Sequence, residues 1–423
     1  MSPVHVLIIL RGLTGLGLGL VMPVQVLVLV ERGVAPGMIG VVFAVVALAS
    51  VAAELPGGAL ADVHGQRVAL CLGYLLMGAG LVGFALADDV SWFLVAAVAL
   101  GVGKALDSGA LETWFVERLQ ADHRGVHDPV RLTHGLAAAA MTNGLGIAAG
   151  ALAGGALAVV SAPVSVGGVL VGASVPLLLG STLLNVTALL AVLMLRAQGA
   201  RPGGSLVSLT TRGARSVADS VRAVAVDSVL RRLMLRWFMA AAGMTVIHLL
   251  VPIRLEQLLG DAGRSAVWMG FVYAALFGLQ GLAARCAPWL RRTVGARRSV
   301  VYLGLFSGLC LSTLPGWDVT GLLIAVLLCF AATGPGAALL GPLLHSRVCG
   351  PHRTGVLSVA ALTRSGGTTE APWVWWRLGL LGYDQGLVGP WGSVGRVLEL
   401  CGWDVVEGAV QALGVVPVDP AEG

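Results

Sequence analysis

Glu54-Leu-Pro-Gly-Gly-Ala-Leu-Ala-Asp-Val-His-Gly-Gln-Arg67 joins two apolar runs, 37–60 and 67–87. Each run is long enough to cross the hydrocarbon core as a helix, which takes about 20 apolar residues. The joint is short, and it concentrates charge: Glu54, Asp62 and Arg67 lie within it. Gly65 permits a tight turn and Arg67 places a cation at the start of the next helix. Two spans joined by a polar turn of a few residues form a helical hairpin in a membrane.

The rest of the chain extends the pattern. Hydrophobic residues make up 57% of the 423 and charged residues 12%, against about 25% charged in a soluble domain. So few charges could not cover a water-facing surface, and lipid is the solvent that fits. Ten segments read as spans: 4–30, 37–60, 67–87, 91–115, 133–160, 168–195, 233–253, 265–289, 299–316 and 320–345. The first run is too long for a signal-peptide core and carries no small-residue cleavage site, so it reads as a retained span.

With the N-terminus cytoplasmic, nineteen arginines fall on the cytoplasmic side, against Arg32, Arg254 and Arg264 opposite. The positive-inside rule thereby orients the chain. Trp92 with Trp114, and Trp268 with Trp289, bracket the fourth and eighth spans as interfacial anchors. The long connector 197–232 is Arg-rich and reads in its second half as an amphipathic helix on the membrane. Its place divides the chain into an N-terminal six-helix half, 1–196, and a second half, 233–363.

Function classes fall away by absence. The basic residues are 26 Arg and one Lys, Lys104, scattered between apolar runs, not striped with aromatics. That pattern does not fit nucleic acid. The six cysteines form no CxxC pair, and no metal cluster, nucleophile elbow or phosphate loop occurs. No enzyme, cofactor or metal site is expected.

The joint resembles the signature between helices 2 and 3 of major facilitator transporters, G-x-L-A-D-x-x-G-R-R. Gly58, Leu60, Ala61, Asp62, Gly65 and Arg67 match, and Gln66 replaces the usual first basic residue. A fainter echo, Leu290-Arg-Arg-Thr-Val-Gly-Ala-Arg-Arg298, keeps Gly295 and paired arginines without the acid. The fifth span carries Gly146, Gly150, Gly154 and Gly155, spaced as in the G-x-x-x-G-P-x-x-G-G signature of drug exporters, with Ala151 at the proline position. Small residues at this spacing serve equally as a seam for close helix packing. Gly103-Lys-Ala-Leu-Asp-Ser-Gly-Ala-Leu-Glu112 resembles the family's helix 4 motif, with Lys104 for Arg.

The resemblance implies an all-α bundle of two six-helix halves working by alternating access, with Gly58, Asp62, Gly65 and Arg67 as a conformational latch. Charges inside spans are costly, at about 2.5–3.5 kcal/mol each on insertion scales. They therefore mark candidate sites. Lys104 and Asp107, at i and i+3, are expected to pair on one helix face. With Glu112, Glu54 and His248 they form the candidate proton-coupling set, and a permanent structural pair is the competing reading. Arg11, Gln25, Asn143 and Gln280 are candidates for the cavity. Arg11 can equally snorkel to the cytoplasmic interface, and the polar residues, with Asn185, can equally be interhelical glue.

Expected partners are the lipid bilayer, a small-molecule substrate and protons, with the chain a monomer in the inner (plasma) membrane. The expected activity is proton-coupled export of a small hydrophobic compound. Metabolite uptake and a non-transporting, decayed protein are the alternatives. The resemblance stops near Arg364: charges interrupt every later apolar run, so helices 11 and 12 read as degenerate or missing. Residues 364–423 form an atypical tail, expected to be disordered or read from a shifted frame.

Overall fold

The computed structural model describes residues 2–122, 129–160, 165–166, 169–170, 174–195, 262–313, 324, 327–336 and 338–340. The connector 197–232, the seventh span with His248, and the tail 364–423 lie outside the described residues.

Apart from one two-residue hairpin, the described chain is helical. In order it runs α1 (Pro3–Val21), α2 (Gln25–Glu31), α3 (Pro36–His64), α4 (Gln66–Leu86), α5 (Val90–Asp107), α6 (Ala110–Asp122) and α7 (Pro129–Val160). Then come α8 (Val175–Met194), α9 (Ala262–Ala284), α10 (Ala287–Thr293) and α11 (Ala296–Thr313). A last apolar helix, α12, is Leu327–Leu340. Among the described residues seven helical segments are long and apolar enough to cross a membrane. The ninth expected span is present as the less apolar α11 and the tenth as the shorter α12.

Two expected spans are broken helices. The first divides into α1 and α2 around Pro23, which has no backbone N–H to donate. The fourth divides at Ser108-Gly109, where Gly109 has φ +77°. The sixth begins later than expected, because Ser165-Val166 pairs antiparallel with Val169-Leu170 instead of entering the helix. The polar joint turns at Gly65, with φ +88° and ψ 153°, a region open essentially to glycine alone. The echo turns at Gly295 with φ +88° as well, and Ser299 secures it by donating to the Gly295 carbonyl at 2.9 Å.

The bundle is held by glycine seams. On one face of α7, a Cβ added at Gly146, Gly150 or Gly154 would overlap the backbone oxygens of Gly12, Leu16 and Leu20 on α1. On another face, a Cβ at Gly155 would lie 2.7 Å from the Ala266 oxygen, and one at Gly144 2.7 Å from the Phe277 oxygen. α7 is therefore clamped backbone to backbone between α1 and α9. Close approach replaces the hydrophobic drive, which lipid does not supply between helices. Gly58 makes no such contact: a Cβ there meets nothing within 4 Å. Its neighbour Gly57 faces α5 instead, 3.1 Å from Leu106 Cδ2.

Trp92, Trp268 and Trp289 are exposed, while Trp114 is buried at 4%. The expected anchor at Trp114 is thus a core residue, because α6 restarts after the Gly109 break and turns that ring into the bundle. At the far end of α1–α2, Arg32 donates to the Ala85 carbonyl at 2.9 Å and to the Ala87 carbonyl, and faces Asp88 at 3.8 Å. A cation on the open carbonyls at a helix C-terminus is favourable.

The seam sets a contrast in mutability. Gly150→Ala should lower the unfolding midpoint of the detergent-purified protein, at a cost of about 1–3 kcal/mol for overpacking. Gly58→Ala should leave that midpoint unchanged.

Candidate functional site

The site begins with a close approach of α4 and α5. A Cβ on Gly73 would lie 3.0 Å from the Gly103 oxygen, and one on Gly103 2.7 Å from the Gly73 oxygen. Two side-chain-free positions bring the helices together and place Tyr74 beside Asp107. The Tyr74 hydroxyl donates to Asp107 Oδ1 at 3.0 Å. From α1, Arg11 Nη1 donates to Asp107 Oδ2 at 3.1 Å. Arg11 Nη2 faces Glu112 Oε1 on α6 at 3.6 Å.

Asp107 and the Arg11 guanidinium are largely enclosed, with side chains 15% and 16% exposed, while Glu112 is 56% exposed. α1 and α5 do not otherwise pack side by side, so the Arg11–Asp107 bridge spans the space between them. Both carboxylate oxygens of Asp107 are used. A carboxylate held by one cation and one hydroxyl can release the cation on protonation, since the neutral acid no longer attracts it.

The expected pairing of Lys104 with Asp107 does not form. Arg11 takes the carboxylate from across the bundle, and Lys104 is left exposed with no ion pair among the described residues. Arg11 does not snorkel to the interface, for the same reason. Glu54 is buried in α3 and engaged there. Gln280 Nε2 donates to Thr333 Oγ1 on α12 at 2.7 Å, so it ties helices together. Gln25 is different: its Nε2 is buried and has no hydrogen-bond partner among the described residues. Asn143 lies half-buried in the α7 seam, where its backbone meets Gly15. Asn185 is exposed on α8, its side chain against Gly78 of α4.

At the joint, Gln66 donates to Glu117 Oε2 at 3.4 Å, fastening the start of α4 to α6. The Asp62 side chain lies outside the described residues. Near the echo, Arg291 Nη1 donates to buried Thr133 Oγ1 at 2.7 Å. That contact links the start of α7 to α10, one helix from each expected half. Sequence reasoning missed Tyr74 and Thr133. The only advance signal for Tyr74 was a phenol in an otherwise apolar run, directly after Gly73.

The family model described as Major Facilitator Superfamily matches residues 7–371. No curated protein sequence matches the chain. The fold is similar to the crystal structure of the nucleoside transporter NupG, with TM-score 0.65 and 14% identity, covering 98% of this chain and 100% of that one. It is similar to the human organic anion transporter MFSD10 (TETRAN), with TM-score 0.61 and 17% identity, covering 88% and 93%. It is also similar to a D-xylose-proton symporter, with TM-score 0.59 and 14% identity, covering 90% and 92%.

A double-mutant cycle tests the bridge. Asp107→Ala should destabilise the protein by about 1–3 kcal/mol, because it leaves the largely enclosed Arg11 guanidinium with only the exposed Glu112 as its acid. Arg11→Ala combined with Asp107→Ala should cost clearly less than the two single changes added together, as read by unfolding in mixed micelles.

Proposed function

This chain belongs to the Major Facilitator Superfamily, and from that premise we propose that it couples proton movement to export of a small hydrophobic compound. It is a multi-pass membrane protein with the fold of secondary transporters that carry small molecules.

The observation that carries it is the Arg11–Asp107–Tyr74 cluster bridging α1 and α5. Protonating Asp107 removes the negative charge that holds Arg11. The two helices then lose their bridge, and the balance between inward-open and outward-open arrangements shifts. Glu112, exposed and 3.6 Å from Arg11, is the carboxylate to which the guanidinium can turn. Glu54 and His248 are further proton carriers in this reading. Residues 1–196 and 233–363 rock about the α7–α9 seam, with 197–232 as their connector. Gly58, Asp62, Gly65 and Arg67 latch the cytoplasmic side, and the Arg291–Thr133 hydrogen bond adds a second fastening there.

Export rests on the exporter-like glycines of α7. In the bundle those glycines pack against α1, and Gly155 against α9. We place the protein as a monomer in the plasma membrane, N-terminus inside.

The test is flux in proteoliposomes under an imposed pH gradient, screened over lipophilic dyes of each charge. A transported dye should follow the gradient in the wild type. Asp107→Asn should lose gradient-driven accumulation by at least tenfold while keeping exchange of dye across the membrane. If Asp107→Asn accumulates dye as the wild type does, the coupling assignment fails.

A further inference from the structure

Lys104 is the one lysine of the chain. It sits on α5 three residues before Asp107, one turn deeper from the Glu112 end. A rise of about 1.5 Å per residue puts it about 4.5 Å farther along the helix axis. Positions i and i+3 share a face, so Lys104 lies on the side of α5 that looks across to α1. Its surroundings are otherwise spent. Both oxygens of Asp107 are taken by Arg11 and Tyr74, and the Glu112 carboxylate lies toward Arg11. The backbone on either side of Lys104 is buried by helix packing, at Gly103 against α4 and at Ala105. The side chain itself is exposed and no ion pair reaches it among the described residues.

A permanent unpaired ammonium is disfavoured at membrane depth unless water or a counter-charge meets it. A structural cation would have an acid beside it, as Arg11 does. A cation left without an acid among the described residues, within reach of the central space, is placed to take its counter-charge from a bound compound. We propose that Lys104 binds the anionic group of the transported compound, which is therefore an amphiphilic organic anion: an apolar body carrying a carboxylate, sulfonate or phosphate. The proposal rests on the transport reading above and narrows its substrate class. It also divides the labour between neighbours, with Asp107 taking the proton and Lys104 the anion.

The single lysine allows a test that needs no transport. The full-length protein in nanodiscs is treated with formaldehyde and borohydride, and methylation at Lys104 is followed by peptide mass spectrometry. Three probes with one body are added: 2-naphthoate, 2-naphthamide and (2-naphthylmethyl)trimethylammonium, whose quaternary nitrogen does not react with formaldehyde. Naphthoate should slow Lys104 methylation at least tenfold more than either other probe at equal concentration. Methylation of the N-terminal amine, in the same sample, should be unaffected. In a direct binding titration, Lys104→Arg should keep the preference for naphthoate and Lys104→Met should abolish it. Equal protection by all three probes, stronger protection by the ammonium, or an anion preference surviving in Lys104→Met would overturn the assignment. A wild-type-like Asp107→Asn in the flux assay would instead remove the proton-coupling reading and leave the Lys104 result standing.

Discussion

An ionised side chain within a lipid-solvated bundle has to be met by an opposite charge, by water or by a ligand. The arrangement at the centre of this protein follows from how three cations and acids satisfy that condition. Arg11 and Asp107 meet each other across the space between α1 and α5 at 3.1 Å. Tyr74 fills the remaining carboxylate oxygen. Lys104, one turn away, has no ion pair among the described residues, and on the reading proposed above that asymmetry divides the proton and the anion between the two neighbouring charges of α5. A bridge that depends on one ionised carboxylate is also a two-state element, since its strength changes with one proton.

Such a bridge is useful only if the helices bearing it are otherwise free to part at that point and held firmly elsewhere. The glycine seams supply the second condition. α7 is clamped to α1 by Gly146, Gly150 and Gly154, and to α9 by Gly144 and Gly155. α4 and α5 are clamped by Gly73 and Gly103. These contacts involve backbone, carry no charge and do not change with protonation. The polar bridges, Arg11–Asp107 inside and Arg291–Thr133 near the echo, are where the structure can respond.

Much of the fold was legible because its signals are one-dimensional. Span length, arginine placement and the Gly65 turn can be read along the chain, and the family model covering residues 7–371 agrees with the helical membrane bundle. The breaks at Pro23 and at Ser108-Gly109 were less visible, because each interrupts an apolar run without interrupting its hydropathy. The site was legible as a set of residues and not as a set of contacts. Lys104 and Asp107 have the spacing of an intrahelical pair, but the pairing depends on which helix lies opposite, and that is a property of the bundle. Gly58 matches the signature while Gly57 makes the close approach, because a one-position shift on a helix is a 100° rotation. Trp114 shows the same limit: its place near a helix end suggested an interface, and the Gly109 turn put it in the core.

In the proposed mechanism Asp107 carries the transported proton and holds Arg11 only when ionised. Infrared difference spectroscopy on the reconstituted protein, taken as pH is lowered, tests it directly. A protonated-carboxyl band should appear in the wild type and be missing from Asp107→Asn. An identical acid-induced spectrum in wild type and Asp107→Asn would contradict the account.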